Sequence, residues 1–194
     1  MPKKTLFLIL TLTLIASGLL YIALSSKTNE NSTLPPLINR QVTPIPDSQT
    51  TLSINPATLT ASQATSSSVM VDINTGSNKV TAVQIELTYD PKALGNVAIA
   101  MPPVNQNFFS NSVVLLKEID TVKGKITYAV GIPPTGSAKS GTGSIAVITF
   151  TPLLFAGQTT ISFNPSTLVT AENATQSVLK SATNTTILFS GVTN

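Results

Sequence analysis

Apolar and polar side chains alternate along residues 80–89, so this segment predicts a β-strand with one buried and one solvated face. The apolar side chains occupy every second position, at Val83, Ile85, Leu87 and Tyr89. The positions between them carry the polar side chains Gln84, Glu86 and Thr88. Asp90 and Pro91 follow directly and predict a turn, because proline cannot donate to a ladder and aspartate can bond the backbone just beyond it.

Short apolar runs separated by Gly, Pro, Asn and Ser continue through the rest of the chain, and none has the length and period of an amphipathic helix. Residues 117–128 read as a hairpin with its tight turn at Lys123-Gly124. The runs predict roughly nine strands, at residues 51–55, 67–74, 80–89, 97–100, 113–120, 125–131, 144–151, 159–163 and 185–190. Strands this short and this numerous predict an all-β fold, a two-sheet β-sandwich.

The N-terminus carries Lys3 and Lys4 followed by an apolar run over residues 6–24. As a helix with a rise of about 1.5 Å per residue this run would span about 28 Å, close to the hydrocarbon thickness of a bilayer. The lysines predict a cytoplasmic N-terminus and an exported body. Two interpretations stay open: an uncleaved transmembrane anchor, or a signal peptide of residues 1–25 cleaved near Ser25.

Residues 26–50 are rich in Pro, Ser, Thr and Asn and hold too little apolar content to build a core. We expect them to form an extended linker that holds the body away from the membrane. The sequence thus predicts three parts: residues 1–25 as signal peptide or anchor, residues 26–50 as linker, and residues 51–191 as the folded domain.

The composition excludes most of the common catalytic mechanisms, because the chain contains no Cys, no His and no Trp. Without Cys there is neither a disulfide nor a thiol nucleophile. Without His, the Ser-His-Asp triad and the common His-based metal sites are excluded. The net charge is only +3 and no basic stripe with interleaved aromatic residues occurs, so nucleic-acid binding is not expected.

Two groups of acidic residues were weighed as sites. Glu118 and Asp120 would share one strand face, like the paired carboxylates of a glycosidase, but the lysines of the same hairpin favour cross-strand charge pairing. Asp72, Asp90 and Asp120 offer oxygen ligands for calcium, yet they are isolated in sequence and fit strand ends and turns better. We therefore predict no catalytic residue, no metal site and no cofactor.

Three segments, taken in order, resemble a known family. They are residues 53–91, which end in Tyr-Asp-Pro; residues 143–150, with the pattern Gly-x-x-Ala-x-x-x-Phe; and residues 166–189, which begin Ser-Thr-Leu-Val and close on a final strand. Together they resemble a cohesin domain. The resemblance implies a jelly-roll sandwich of about nine strands, no enzymatic activity, and binding to dockerin modules that attach enzymes to scaffolds or cell surfaces. Some carbohydrate-binding modules share this architecture.

The alternation of residues 80–89 and 125–131 also predicts which side chains are available to a partner. If Ile126, Tyr128 and Val130 face the core, their neighbours face outward. The predicted partner-binding residues on the two strands are Gln84, Glu86, Thr88, Lys125, Thr127 and Ala129. The resemblance implies that these strands lie in the sheet that receives dockerin, through hydrogen bonds and charges. No Trp or Tyr anchor is expected on this face, although such anchors are common at interfaces.

The leading hypothesis is therefore a non-catalytic protein-binding module with a dockerin-type partner, displayed on the extracellular face of the membrane or secreted, and linked to polysaccharide degradation. A carbohydrate-binding module is the second hypothesis, although the absence of Trp and the low Tyr content argue against it. A structural protein of the cell envelope is the third.

Overall fold

The computed structural model describes Ser17, residues 47–154 and residues 156–191 of the chain. Within these described residues no helix is both long enough and apolar enough to span a bilayer. Apart from Ser17, the predicted apolar helix lies outside the described residues, as does the predicted linker up to residue 46. The described strands belong to one compact unit, Thr43–Asn194.

The described part of the chain folds into twelve β-strands. Their bounds are β1 Thr50–Asn55, β2 Thr58–Ser62, β3 Ser67–Asn74, β4 Val80–Thr88, β5 Leu94–Ala100, β6 Val113–Asp120, β7 Lys125–Gly131, β8 Thr142–Pro152, β9 Gln158–Phe163, β10 Leu168–Ala171, β11 Leu179–Thr183 and β12 Thr185–Ser190.

The strands form two sheets, which makes the fold an all-β sandwich. The five-stranded sheet has the order β11-β1-β3-β8-β5. The seven-stranded sheet has the order β2-β12-β9-β4-β7-β6, with β10 added beside β4. Most neighbours are antiparallel, but β1 with β11 and β2 with β12 are parallel pairs.

Strand alternation builds the core, because each sheet contributes one apolar face. The predicted inward residues of β4 and β7 are all buried, which confirms the alternation on which the partner-binding prediction rests: Val83, Ile85, Leu87, Tyr89, Ile126, Tyr128 and Val130. They join apolar residues of the other sheet in a single cluster. Phe108 and Phe109 close the core from a loop, with their rings 4.8 Å apart in an edge-to-face arrangement.

Every predicted strand is present, with bounds that differ by at most a few residues, but the predicted number of about nine was too low. The sequence missed β2, β10 and β11. These three strands are only four or five residues long, and each has at most two buried residues. They lack the apolar alternation that identified the others. The jelly-roll connectivity stays a prediction.

Turns form where the sequence predicted them. Asp90 Oδ1 accepts a hydrogen bond from the Lys92 N–H at 2.8 Å, which confirms its predicted role as a turn former. Asp120 Oδ1 accepts from the N–H groups of Val122 and Lys123 at 3.0 and 2.9 Å and so closes the β6–β7 hairpin.

Candidate functional site

The outer face of the seven-stranded sheet brings the six predicted partner-binding residues together. β4 and β7 are antiparallel neighbours, and their register sets the residues opposite one another in pairs. The pairs are Gln84 with Ala129, Glu86 with Thr127, and Thr88 with Lys125. Because opposite residues of an antiparallel pair share a face, all six side chains lie on the outer side of the sheet.

Glu86 is the centre of a hydrogen-bonded group on this face. Its Oε2 lies 2.6 Å from Lys125 Nζ and accepts a hydrogen bond from Thr127 Oγ1 at 3.2 Å. Its Oε1 accepts a hydrogen bond from Gln84 Nε2 at 3.3 Å. The group joins β4 to β7 and fixes four of the six predicted side chains in one arrangement.

The expectation of a fully solvated polar face was wrong at two positions, because Glu86 is only 6 % exposed and Ala129 only 8 % exposed. Glu86 is covered by the side chains that bond it. Its backbone is also satisfied on the other side, where its N–H donates to Thr167 Oγ1 and its carbonyl accepts from the Asn164 N–H. The charge therefore lies in a covered, preorganised site rather than on a wet surface.

The electrostatics of this group hold both partners in their charged forms. Burial alone would raise the pKa of Glu86, but the hydrogen bond and charge of Lys125, with hydrogen bonds from Thr127 and Gln84, lower that pKa below its ordinary 4.5. In the same way the hydrogen bond from Lys125 to Glu86 raises the pKa of the lysine. The pair is thus a salt bridge at neutral pH.

An aliphatic cleft lies beside this polar group and was missed by the sequence analysis. It has a volume of about 130 Å³ and runs between β10 and β6 across the middle of the sheet. Leu115 and Leu168 form its walls and are 62 % and 45 % exposed, while Ala82 and Ala129 form its floor. These aliphatic side chains supply the apolar contact surface that no aromatic residue provides on this face.

Two local features create the cleft. β6 has a bulge between Val114 and Leu116, so Leu115 is an extra residue in its pairing with β7. β10 pairs with β4 and sets Leu168 opposite Gln84. The sequence carried one signal of the unusual β6 strand. Residues 113–116 are all apolar and do not alternate with polar residues, as expected where both faces of a strand are apolar.

Charged side chains surround a second groove at the hairpin end of the same face, about 190 Å³ in volume. It is lined by Glu118, Asp120, Lys123, Lys125 and Thr127. Lys123 pairs with Asp120 at 3.5 Å, and Lys125 pairs across the sheet with Glu86. The predicted cross-strand ion pairs between β6 and β7 are therefore not found among the described residues, because Lys123 pairs with Asp120 within the turn and Lys125 pairs with β4. Within the described residues Glu118 forms no ion pair, although the charge of Lys125 still acts on it from farther away.

The comparison with protein families decides what kind of sandwich this is. A family model described as the cohesin domain matches residues 51–189. The chain belongs to the cohesin family. A search of curated proteins found no match.

Solved structures with the same fold include cohesins of diverse origin. A type I cohesin–dockerin complex from Clostridium thermocellum contains a chain with a TM-score of 0.62 and 11 % identity, aligned over 75 % of this chain and 96 % of that one. A non-cellulosomal cohesin from the archaeon Archaeoglobus fulgidus has a TM-score of 0.55 and 17 % identity, aligned over 73 % of this chain and 91 % of that one. CaCohA2 from Clostridium acetobutylicum has a TM-score of 0.55 and 19 % identity, aligned over 74 % of this chain and 92 % of that one. At these identities the likeness supports the fold alone.

The remaining candidates of the sequence analysis lie apart in this cohesin domain. Asp72 is on β3 of the five-stranded sheet, whereas Asp90 and Asp120 occupy turns next to the other sheet. Across residues 47–154 and 156–191 no group of three or more acidic, His or Cys residues is arranged to hold a metal ion. Glu118 and Asp120 share the outer face of β6, in an open groove rather than across a cleft lined by aromatic rings.

Proposed function

We propose that the outer face of β10, β4, β7 and β6 is the binding surface of a non-catalytic cohesin module whose partner is a dockerin-type helical protein. The observation that carries the proposal is the cleft between Leu115 and Leu168, which lies on the same face as the ordered Glu86–Lys125 group. Membership of the cohesin family, and a type I cohesin–dockerin complex among the structures with this fold, support the choice of partner.

The face has the arrangement expected of a protein interface: an apolar centre and a polar rim. One aliphatic side chain of a partner helix fits a cleft of about 130 Å³ and would be desolvated there between two leucines. The polar group beside it is already hydrogen-bonded within the domain, so docking does not leave Glu86 buried without a partner.

The unpaired Glu118 indicates the charge of the partner next to the cleft. Leu115, which lines the cleft, and Glu118 are three positions apart on β6, which corresponds to about 10 Å along the strand. On a helix with a rise of about 1.5 Å per residue, residues seven positions apart are separated by about 10 Å. A partner helix with an aliphatic residue two turns from Lys or Arg would satisfy both the cleft and this carboxylate.

The proposal extends to location. The lysines and the apolar run of residues 6–24 support export, and the polar linker of residues 26–50 supports display of the module away from a membrane. A dockerin-bearing partner would connect the module to polysaccharide degradation. N-terminal sequencing of the protein recovered from membrane and medium fractions separates the two forms: an intact N-terminus in membranes indicates an anchor, and a new N-terminus near Ser25 indicates cleavage.

Isothermal titration of the full-length chain with a panel of purified dockerin modules tests the partner. We expect Leu115→Asp to weaken binding by roughly tenfold or more, because it places a charge in the desolvated centre. Val104→Asp is the matched control, since Val104 is 84 % exposed in a loop away from this face. If no dockerin binds, or if both variants bind like the wild type, the proposed surface is wrong.

A further inference from the structure

The outer face of the five-stranded sheet carries a regular array of small polar side chains. The register of β11, β1, β3 and β8 aligns them in two rows that cross the sheet. One row is Ser181, Thr51, Asn74 and Thr142, and the other is Thr183, Ser53, Asp72 and Ser144. Adjacent groups are separated by about 4.8 Å between strands and about 6.7 Å along a strand.

A groove of about 350 Å³ opens among these side chains. Its polar lining consists of Thr51, Ser53, Asp72, Asn74, Thr142 and Ser144. This volume falls within the range of small-molecule sites, and it exceeds that of the cleft and of the groove on the partner-binding face. The two rows of hydroxyl and amide groups therefore border an open, shallow depression in the sheet face.

Asp72 is held rigidly at the floor of this groove. Its Oδ1 accepts a hydrogen bond from Ser144 Oγ at 2.6 Å, and its Oδ2 accepts one from Asn55 Nδ2 at 2.6 Å. Ser144 is itself only 7 % exposed, so its hydroxyl is fixed by the fold. A carboxylate offers about four lone-pair sites, which leaves Asp72 with free acceptor capacity directed into the groove.

The chemistry of the lining selects the class of ligand. Asp72 is the one ionisable residue among the residues lining the groove, so the groove offers neither a cation for an anionic ligand nor a second carboxylate for a divalent metal. The exposed groups are hydroxyls and an amide, each able to donate and accept. A neutral polyhydroxylated ligand complements this set of groups, because each of its hydroxyls can donate to Asp72 and also accept from the neighbouring hydroxyls and amide.

We propose that this groove binds a neutral saccharide, with two neighbouring hydroxyls of one sugar ring donating to Asp72. The surrounding Thr51, Ser53 and Thr142 hydroxyls would bond the remaining ring substituents, directly or through water. Hydrogen bonds to a charged acceptor are the stronger ones, so Asp72 supplies the main contact. No aromatic ring lines the groove, and each site therefore binds weakly, in the millimolar range.

The saccharide site is independent of the proposed dockerin face, because the two lie on different sheets on opposite sides of the core. A module with both surfaces would hold a partner on one side and contact a glycan on the other. Failure of dockerin binding would leave the saccharide proposal intact, and the reverse also holds.

Titration of the isotope-labelled full-length chain with glucose, xylose, mannose and cello-, xylo- and chito-oligosaccharides, followed by amide chemical shifts, tests the proposal. We expect at least one sugar to shift amides of β1, β3 and β8 at millimolar concentration. Asp72→Asn keeps the size of the side chain and should weaken that binding by roughly tenfold, the loss expected for one charge-assisted hydrogen bond. Glu118→Gln, on the other sheet, should leave it unchanged.

Unfolding midpoints of both variants establish that they remain folded. Shifts confined to the seven-stranded sheet, equal binding by Asp72→Asn and the wild type, or no shift with any sugar would each overturn the saccharide site.

Discussion

Glu86 shows how a single residue links stability to the proposed binding surface. Its carboxylate is covered, yet both oxygens have partners on the same sheet face and its backbone is bonded by Thr167 and Asn164. An unpaired charge at this position would be strongly destabilising. Lys125 therefore stabilises the fold and at the same time fixes the polar rim next to the cleft.

We expect Glu86→Gln to reduce the acid sensitivity of stability. The hydrogen bond and charge of Lys125 outweigh burial and hold the pKa of Glu86 below its ordinary value of 4.5 in the folded protein. Its contribution is therefore fully present above pH 4.5 and is lost as the pH falls through the folded-state pKa. Urea unfolding between neutral pH and about pH 3 measures the loss.

Asp120 should supply part of the pH dependence of stability that remains in the Glu86→Gln variant, because the N–H groups of Lys123 and Val122 lower the pKa of Asp120 as well. Identical pH profiles for wild type and Glu86→Gln would contradict the assignment of the ion pair to stability.

Gly124 is the second residue whose identity is dictated by its surroundings. Its φ is +64°, and a Cβ built there would lie 2.0 Å from the carbonyl oxygen of Tyr89. We expect Gly124→Ala to lower the free energy of unfolding by more than about 1 kcal/mol, because strain and a backbone clash add. Gly76→Ala is the matched control, because its φ of +57° is similar but the nearest atom to the built Cβ is a side-chain carbon of Gln49 at 3.0 Å, and it should cost less. An equal loss in the two variants would show that the clash is not the cause.

At the scale of the element, alternation decides which residues of a strand matter for the core. On β4 the core side chains Val83, Ile85 and Leu87 are buried at alternate positions. Between them Glu86 is also buried, but by its polar partners on the outer face, and Thr88 at the end of the strand is exposed. β6 does not follow this rule. Its first four residues are all exposed and apolar, and it forms an edge of its sheet.

A pair of substitutions on β4 tests this reading. Ile85→Ala removes a fully buried side chain and should cost about 2–5 kcal/mol of unfolding free energy. Thr88→Ala removes an exposed side chain from the same strand and should change stability by less than about 1 kcal/mol. Urea unfolding of the two variants gives the comparison directly, and a cost at Thr88 as large as at Ile85 would contradict the assigned faces.

The same rule explains what could be predicted from the sequence. Val83, Ile85 and Leu87 alternate with polar residues, so their strand and its inward face were evident. β10 and β11 were missed because their ladders are set by partners far away in sequence rather than by their own pattern. The cleft depends on a bulge in β6 and on the position of Leu168 beside β4, and neither follows from local alternation. The burial of Glu86 likewise requires knowledge of the side chains that cover it.

At the scale of the whole molecule, one core joins the two proposed binding faces. Buried residues of both sheets belong to a single cluster, and Phe109 seals it from a loop. A sandwich of this kind gains its stability from the contact between the sheets, because neither sheet alone can bury its apolar face. Changes to outward residues of one sheet should therefore leave the other face intact, whereas a core change in one sheet destabilises both.

Ile54→Ala tests this coupling. Ile54 is a fully buried residue of β1 in the five-stranded sheet, whereas the buried Tyr89 and Tyr128 report on the other sheet, directly after β4 and on β7. If the domain unfolds as one unit, Ile54→Ala should lower the stability measured from tyrosine absorbance by about 2–5 kcal/mol. Far-ultraviolet circular dichroism should give the same midpoint, because it reports on both sheets at once. Two separate transitions, or an unchanged tyrosine signal, would mean that the sheets unfold independently. The effect of a mutation on one face would then have to be interpreted together with the local stability of that sheet.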